Sequence, residues 1–264
     1  MARVLITGCS TGIGRAAAVE LAGRGHDVVA TARRSETLDG LEVADRLALD
    51  VDDAASVQAA VAAAGRIDVL VNNAGWESAG PVEKADLDEV RAMFETNLLG
   101  AARMVQAVLP AMRERGSGTI VNVSSVAGVV AGPLNGFYAA SKHALEAMSD
   151  SLHYEVGHFG IRVVIIEPGA FATAFGANAR RHGEDTAPYD ELRRQWDTAS
   201  EVLTSGAAPG PEPVATAIAD AIESDAPPLR IPVGDDARLV VAVRAANDDA
   251  TFEAAMRETL GLAW

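Results

Sequence analysis

Short apolar runs alternate with longer, Ala-rich stretches along this chain, and glycine, asparagine or proline usually separates the two. The runs are Arg3 to Thr7 (RVLIT), His26 to Arg34 (HDVVATARR), Arg46 to Asp50 (RLALD), Ile67 to Gly75 (IDVLVNNAG), Gly118 to Ser125 (GTIVNVSS), Ile161 to Thr173 (IRVVIIEPGAFAT) and Leu229 to Val233 (LRIPV). Their length, their Val and Ile content and the turn residues at their ends predict buried strands. The stretches between them predict helices. One spans about Ile13 to Ala22. A second, Asp52 to Gly65, opens at an acidic cap and stops at glycine. Leu87 to Arg115 reads as a long helix with Asn97 in its middle and a kink or break at Pro110. Helices are also expected over 137 to 158 and in one piece from Asp236 to Leu260. Strands that alternate with helices make βαβ units. The expected fold is therefore α/β: a doubly wound, mostly parallel seven-stranded sheet flanked by helices, as a single domain over 1–264.

Composition narrows this picture. A hydrophobic content of 49% supports a large core, and no run of about 20 apolar residues is present to span a bilayer. Val4 to Ile6 is too short for the apolar core of a signal peptide. A soluble, cytoplasmic protein with no membrane partner is the expectation. The single cysteine, Cys9, excludes an internal disulfide framework, and the five histidines show no metal-ligand spacing, so no metal is expected. The net charge of −15 repels nucleic acid and anionic lipid surfaces. An anionic ligand needs a local basic patch.

The candidate chemistry gathers at the ends of the predicted strands. Gly8, Gly12 and Gly14 lie between the first strand and a helix, where backbone N–H groups and the positive end of the helix face a phosphate. Their spacing, G-x-x-x-G-x-G, differs from the common dinucleotide fingerprint. The second strand ends in Arg33 and Arg34 with no acidic residue, which favours a ribose 2′-phosphate and hence NADP(H), with NAD(H) as the alternative. Asp50, the turn Asn72 to Gly75, and Ser125 fall on the same rim. Tyr138 and Lys142 are four apart in a run free of Pro and Gly, so a helix presents both on one face. A phenol beside a cation is a tuned proton donor. Taken alone, the pair is equally well read as a buried tyrosine and a solvated lysine on an amphipathic helix.

TGCSTGIG (Thr7 to Gly14), NNAG (Asn72 to Gly75), Asn97, Ser125, Y-x-x-x-K (Tyr138 to Lys142) and PG followed by Thr173 resemble the short-chain dehydrogenase/reductase family, in order, over about residues 3 to 173. Within it, TGCSTGIG and VVATARR look most like the NADP-preferring members that act on steroids, retinoids and other lipophilic carbonyl/alcohol pairs. The resemblance implies a Rossmann-like oxidoreductase with a tetrad of Asn97, Ser125, Tyr138 and Lys142. Ser125 is preferred to Ser124 because it stands thirteen residues before Tyr138. Tyr138 would give a proton to a carbonyl oxygen that Ser125 orients. Lys142 would lower the phenol pKa and hold the nicotinamide ribose, and Asn97 would hold a water linking Lys142 to solvent. The implied cofactor contacts are Gly8, Ser10, Thr11, Gly12, Ile13 and Gly14 at the diphosphate end, Arg33 with Ser10 and Thr11 at a 2′-phosphate, and Asp50 and Val51 at the adenine. Asn73, Ala74 and Gly75 would follow the ribose, and Pro168, Gly169 and Thr173 the carboxamide. Phe171 to Pro209 is expected to act as a substrate lid, with Trp76, Val126, Leu134, Phe171 and Phe175 as candidate apolar walls. The resemblance also implies a homodimer or homotetramer through helices 87–115 and 137–158. A sugar epimerase on this fold would carry T-G-x-x-G-x-x-G, which is absent, and a non-catalytic dinucleotide sensor would have no need of the tetrad.

Overall fold

The computed structural model describes residues 1–177, 179–181, 187–203 and 208–262. In chain order its elements are β1 (Arg3–Ile6), α1 (Gly12–Gly23), β2 (Asp27–Ala32), β3 (Asp45–Ala48), α2 (Ala54–Ala64), β4 (Val69–Asn72), β5 (Ser78–Ala79), α3 (Leu87–Phe94), α4 (Ala101–Arg115), β6 (Gly118–Val123), α5 (Gly136–Gly157), β7 (Ile161–Pro168), α6 (Ala174–Ala177), β8 (Arg180–Arg181), α7 (Asp190–Leu203), α8 (Glu212–Glu223), β9 (Arg230–Val233), α9 (Asp235–Ala246) and α10 (Asp249–Leu260). Seven strands form one parallel sheet in the order β3-β2-β1-β4-β6-β7-β9, and β5 and β8 pair separately. The architecture is the expected Rossmann-like, doubly wound α/β fold.

The apolar runs lack polar alternation because both faces of the sheet are covered. Val4 and Ile6 of β1 pack with Ala17 and Leu21 of α1 and Ile218 of α8 on one face. Leu5, between them, packs on the other face with Val57 of α2 and Met104 of α4. Each such buried aliphatic side chain contributes about 1.5–3 kcal/mol relative to exposure. The chain starts in the middle of the sheet, fills one side through β2 and β3, and then crosses over to build the other side from β4. That reversal between β1 and β4 opens a crevice at the carboxyl ends of the strands, where ligands bind in sheets of this kind.

Two expectations about helices are corrected. Pro110 breaks nothing: α4 runs unbroken from Ala101 to Arg115 with Pro110 exposed on its surface. The carbonyl that Pro110 leaves without a donor belongs to exposed Gln106, on the side open to water. The irregularity lies instead at Glu95–Gly100, a π-helical turn between α3 and α4 that contains Asn97. Such turns insert a residue into a helix and often mark functional positions. The single terminal helix expected from Asp236 is two helices, α9 and α10. Asp248 starts the second by accepting a hydrogen bond from the Thr251 amide at 2.9 Å.

Candidate active site

Two elements deliver the chemistry, the end of β6 and the first turns of α5. The last ladder bond beside β6 runs from the Ser124 amide to the Ile166 carbonyl at 2.8 Å. Ser125 then caps a short 3₁₀ turn at Val126–Gly128, its Oγ accepting from the Ala127 amide at 3.1 Å. That bond occupies one lone pair and leaves the hydroxyl proton free to donate. Gly128 permits the turn, because a Cβ there would lie 2.6 Å from Ser124 Oγ and 3.0 Å from Glu146 Cγ. Tyr138, on α5, is 7% exposed and packs in an apolar cluster with Met93, Ala127 and Ala139, with Trp76, Phe94, Phe137 and Phe175 against it. The Phe175 ring centroid lies 5.7 Å from that of Tyr138.

Burial raises the phenol pKa above its ordinary value. The Glu77 carboxylate adds to that, and the Ser125 hydroxyl works against it. The lowering expected from Lys142 is therefore not what sets this group. Lys142 is 5% exposed, its Nζ donates to the Val123 carbonyl at 2.9 Å, and it stands 5.8 Å from the phenol ring centroid. Burial pushes its ammonium down to about 8, opposed by the Glu146 carboxylate one helical turn on. Asn97 is 2% exposed. Its Oδ1 accepts from the Trp76 amide at 3.0 Å, while its Nδ2 donates to the Trp76 carbonyl at 2.9 Å and to Ser141 Oγ at 3.1 Å. Ser141 Oγ in turn donates to the Tyr138 carbonyl at 2.7 Å. The side chain of Asn97 thus ties the segment after β4 to the helix that carries Tyr138 and Lys142.

The glycine turn interlocks with the end of β4. Gly8 has φ +75°, and a Cβ on it would stand 2.9 Å from Ala74 Cα; a Cβ on Gly14 would stand 2.4 Å from Asn73 Nδ2. Asn73 Nδ2 donates to the carbonyls of Thr7 and Gly8 at 2.9 and 3.2 Å, and Thr7 Oγ1 accepts from the amides of Asn73 and Ala74, both at 3.0 Å. Thr11, at the N-cap of α1, makes no side-chain cap bond, and the first turn of α1 carries no acidic residue. A helix start without a side-chain cap, cradled by glycines, fits a diphosphate. Thr173 reaches over this turn, its Cβ 3.4 Å from where a Gly12 Cβ would be. Gly75 sits between Asn97 and Lys142, a Cβ there lying 3.0 Å from Asn97 Oδ1 and 3.8 Å from Lys142 Nζ. Pro168 is buried at the end of β7, and Gly169 lies against the Asp236 carboxylate. Arg33 is exposed and, among the described residues, makes no hydrogen bond or ion pair. Ser10 is half-buried, Thr11 exposed, and Ile13 packs against the core. Asp50 accepts from the Asp52 amide at 3.1 Å. Val51 is 6% exposed and fills the space left by Gly100.

Sequence reasoning passed over several groups that matter here. Thr7 organises the turn after β4, and Glu77 acts on the phenol. Behind Lys142, Glu146 accepts from Arg230 Nε at 3.0 Å, and Glu167, whose carboxylate is 3.5 Å from the same Nε, is pushed up to about 7 by burial, with Glu146 adding to the rise. Only Glu146 left a trace in the sequence, four residues after Lys142 on the same helix face. Of the candidate walls, Trp76 and Phe175 stand beside Tyr138 and Phe171 packs against the core.

The residues over 2–184 match the short chain dehydrogenase family. The chain belongs to that family and is an oxidoreductase acting on CH–OH and C=O groups. Human retinol dehydrogenase 8 is 39% identical over 250 residues, covering 86% of this chain and 79% of the human protein. A short-chain dehydrogenase structure from Streptomyces avermitilis superposes with a TM-score of 0.83 at 37% identity, covering 100% of this chain and 99% of its own. A Burkholderia cenocepacia short chain dehydrogenase in complex with NADP gives 0.78 at 26% identity, covering 100% and 98%. Among the described residues no helix is long and apolar enough to cross a membrane, and no His, Cys, Asp and Glu group forms a metal-binding cluster.

Proposed function

We propose that this protein is an NADP(H)-dependent enzyme that interconverts a carbonyl and an alcohol on a lipophilic small molecule. The observation that carries the reading is the Tyr138 phenol, with Ser125 beside it and Lys142 beneath, buried in an apolar cluster. When bound, the nicotinamide supplies or accepts the hydride. Tyr138 Oη gives its proton to the substrate oxygen in reduction, and Ser125 donates its free hydroxyl proton to the same oxygen as charge develops. Burial raises the phenol pKa, which keeps on Tyr138 the proton that reduction requires. Lys142 spends one N–H on Val123, and the others would hold the ribose hydroxyls. Asn97 anchors Trp76 and α5, and it would hold a water that links Lys142 to solvent.

Gly8, Ser10, Thr11, Gly12, Ile13 and Gly14 would hold the diphosphate, and Asp50 and Val51 the adenine. Asn73, Ala74 and Gly75 would follow the ribose, and Pro168, Gly169 and Thr173 the carboxamide. The unpaired Arg33 guanidinium, with Ser10 and Thr11 close in sequence, would take the 2′-phosphate and favour NADP(H) over NAD(H). Residues 1–264 would act as one dinucleotide-binding domain with a lid over about 171–209, a span of which residues 178, 182–186 and 204–207 lie outside the described ones. The lipophilic substrate class is supported by the aromatic wall around Tyr138 and by the retinol dehydrogenase relative. Leu99 at 45% and Tyr154 at 82% exposure, in the π turn and on α5, support a homodimer or homotetramer through these helices. A cytoplasmic location is part of the reading.

The test is NADPH consumption across a panel of neutral lipophilic ketones, steroids and retinal. Tyr138→Phe should lower kcat by about 10²–10⁴-fold while leaving NADPH affinity roughly intact. Substantial turnover by that variant would remove Tyr138 as proton donor.

A further inference from the structure

Beside the catalytic cluster lies a second concavity, a cavity of about 230 Å³ whose lining includes Glu77, Asn135, Arg181, Arg193 and Trp196. It adjoins the phenol, since the Glu77 carboxylate in its wall acts on Tyr138. Its far side comes from the segment after β7. The pairing of β5 with β8 sets Arg180 and Arg181 beside Glu77, with the Arg180 guanidinium 4.5 Å above the Trp76 ring. α7 docks through Trp196, whose Cη2 lies 2.6 Å from where a Gly132 Cβ would be. The cavity lining therefore holds two arginines, Arg181 and Arg193, together with the carboxylates of Glu77 and Asp197.

Arg193 is the unusual member. Its Nε and Nη2 are both buried without a hydrogen-bond partner, and among the described residues it forms no ion pair. Asp197, one helical turn on, is exposed and does not satisfy it. Buried guanidinium N–H groups are costly to leave unpaired, and the Nε/Nη2 edge is the planar fork that a carboxylate fits with two parallel hydrogen bonds. Asn135 repeats the pattern. It occupies the N-cap of α5, where its side chain ordinarily caps the helix, yet it makes no cap bond and its Oδ1 is buried and unpartnered. Its carboxamide can present either an acceptor or a donor to the cavity. Burial raises the Glu77 pKa and the Arg181 guanidinium opposes the rise, so Glu77 is the counter-charge of Arg181 and leaves Arg193 unpaired.

We infer that Arg193 reads a carboxylate on the substrate, so that the lipophilic molecule whose carbonyl meets Tyr138 is an acid, gripped bidentately by Nε and Nη2 with Asn135 alongside. This rests on the reading of the site as a carbonyl/alcohol oxidoreductase, and its test is a binding measurement that needs no turnover. Octanoate and methyl octanoate are titrated into NADPH-saturated protein by calorimetry. Octanoate should bind at least roughly tenfold more tightly than the ester, the scale of one charge-assisted pair. Arg193→Gln should remove that preference, and Arg193→Lys, a point charge without the fork, should keep only part of it. NADPH affinity and Tm report that each variant is folded. Equal affinity for acid and ester, failure of octanoate to bind, or an equal loss of both ligands in Arg193→Gln would each overturn the inference. The neutral-ketone panel tests the oxidoreductase reading separately, so a missing acid preference and a failure of that reading are told apart.

Discussion

The two sides of this site treat their polar groups in opposite ways. On the cofactor side, Thr7, Gly8, Asn73 and Ala74 satisfy one another through four short hydrogen bonds, and Gly8 and Gly14 leave no room for a side chain between them. What stays open there faces outward: the uncapped start of α1 and the Arg33 guanidinium. On the side proposed for the substrate, Arg193 Nε and Nη2 and Asn135 Oδ1 are buried without a hydrogen-bond partner beside a cavity. A nucleotide presents a constant shape, so its turn can be built rigid and complete in itself. A substrate pocket must leave donors and acceptors unspent for the molecule it selects. Closed backbone networks and open side-chain forks are thus the marks of the two jobs.

Three measurements sharpen or break this contrast. The largest effect is expected from Gly14→Ala. The added methyl meets Asn73 Nδ2 and the Gly8 carbonyl, both of which are already hydrogen-bonded and cannot yield. Unfolding free energy should fall by about 1–3 kcal/mol, and NADPH affinity should fall with it. Denaturation with and without NADPH checks both, and an unchanged stability would mean that the turn is looser than it looks.

Arg33→Ala should come next, eroding the NADPH over NADH ratio of kcat/KM by roughly tenfold or more, with little change in Tm because no described residue bonds to that guanidinium. A ratio that does not move would place the phosphate-reading group elsewhere. The smallest effect concerns Glu167, a buried carboxyl without a hydrogen-bond partner that belongs to neither side. Its folded pKa, about 7, lies above its ordinary 4.5 because of burial and the facing Glu146, while Arg230 opposes the rise and Asp150 partners Arg230. Between pH 4.5 and 7 the folded state therefore binds more protons than the unfolded one. The carboxyl costs stability as pH rises through that window, and the full cost is present above it. Glu167→Gln should gain on the order of 1–2 kcal/mol at pH 8 and almost nothing at pH 4.5, as read from urea midpoints. A gain independent of pH would show that the carboxyl does not titrate there.

The strands, the glycine turn and the Tyr138/Lys142 pair were legible in the sequence for a common reason: each is encoded within a few residues. Burial on both faces demands continuous apolar runs, a phosphate cradle demands glycine, and helical periodicity places residues four apart on one face. These local rules do not reach the rest. Pro110 looked like a helix breaker, yet it is tolerated because its orphaned carbonyl lies on the solvent side. Asn97 looked like decoration until the π turn aimed it at Trp76 and Ser141. The meeting of Glu77 with Arg181, and of Arg193 with Asn135, depends on β5 pairing with β8 and on Trp196 docking against Gly132, contacts between segments far apart in the chain. Local periodicity determined the scaffold and the Tyr138/Lys142 pair, whereas long-range packing alone decided which charges share the pocket in front of it.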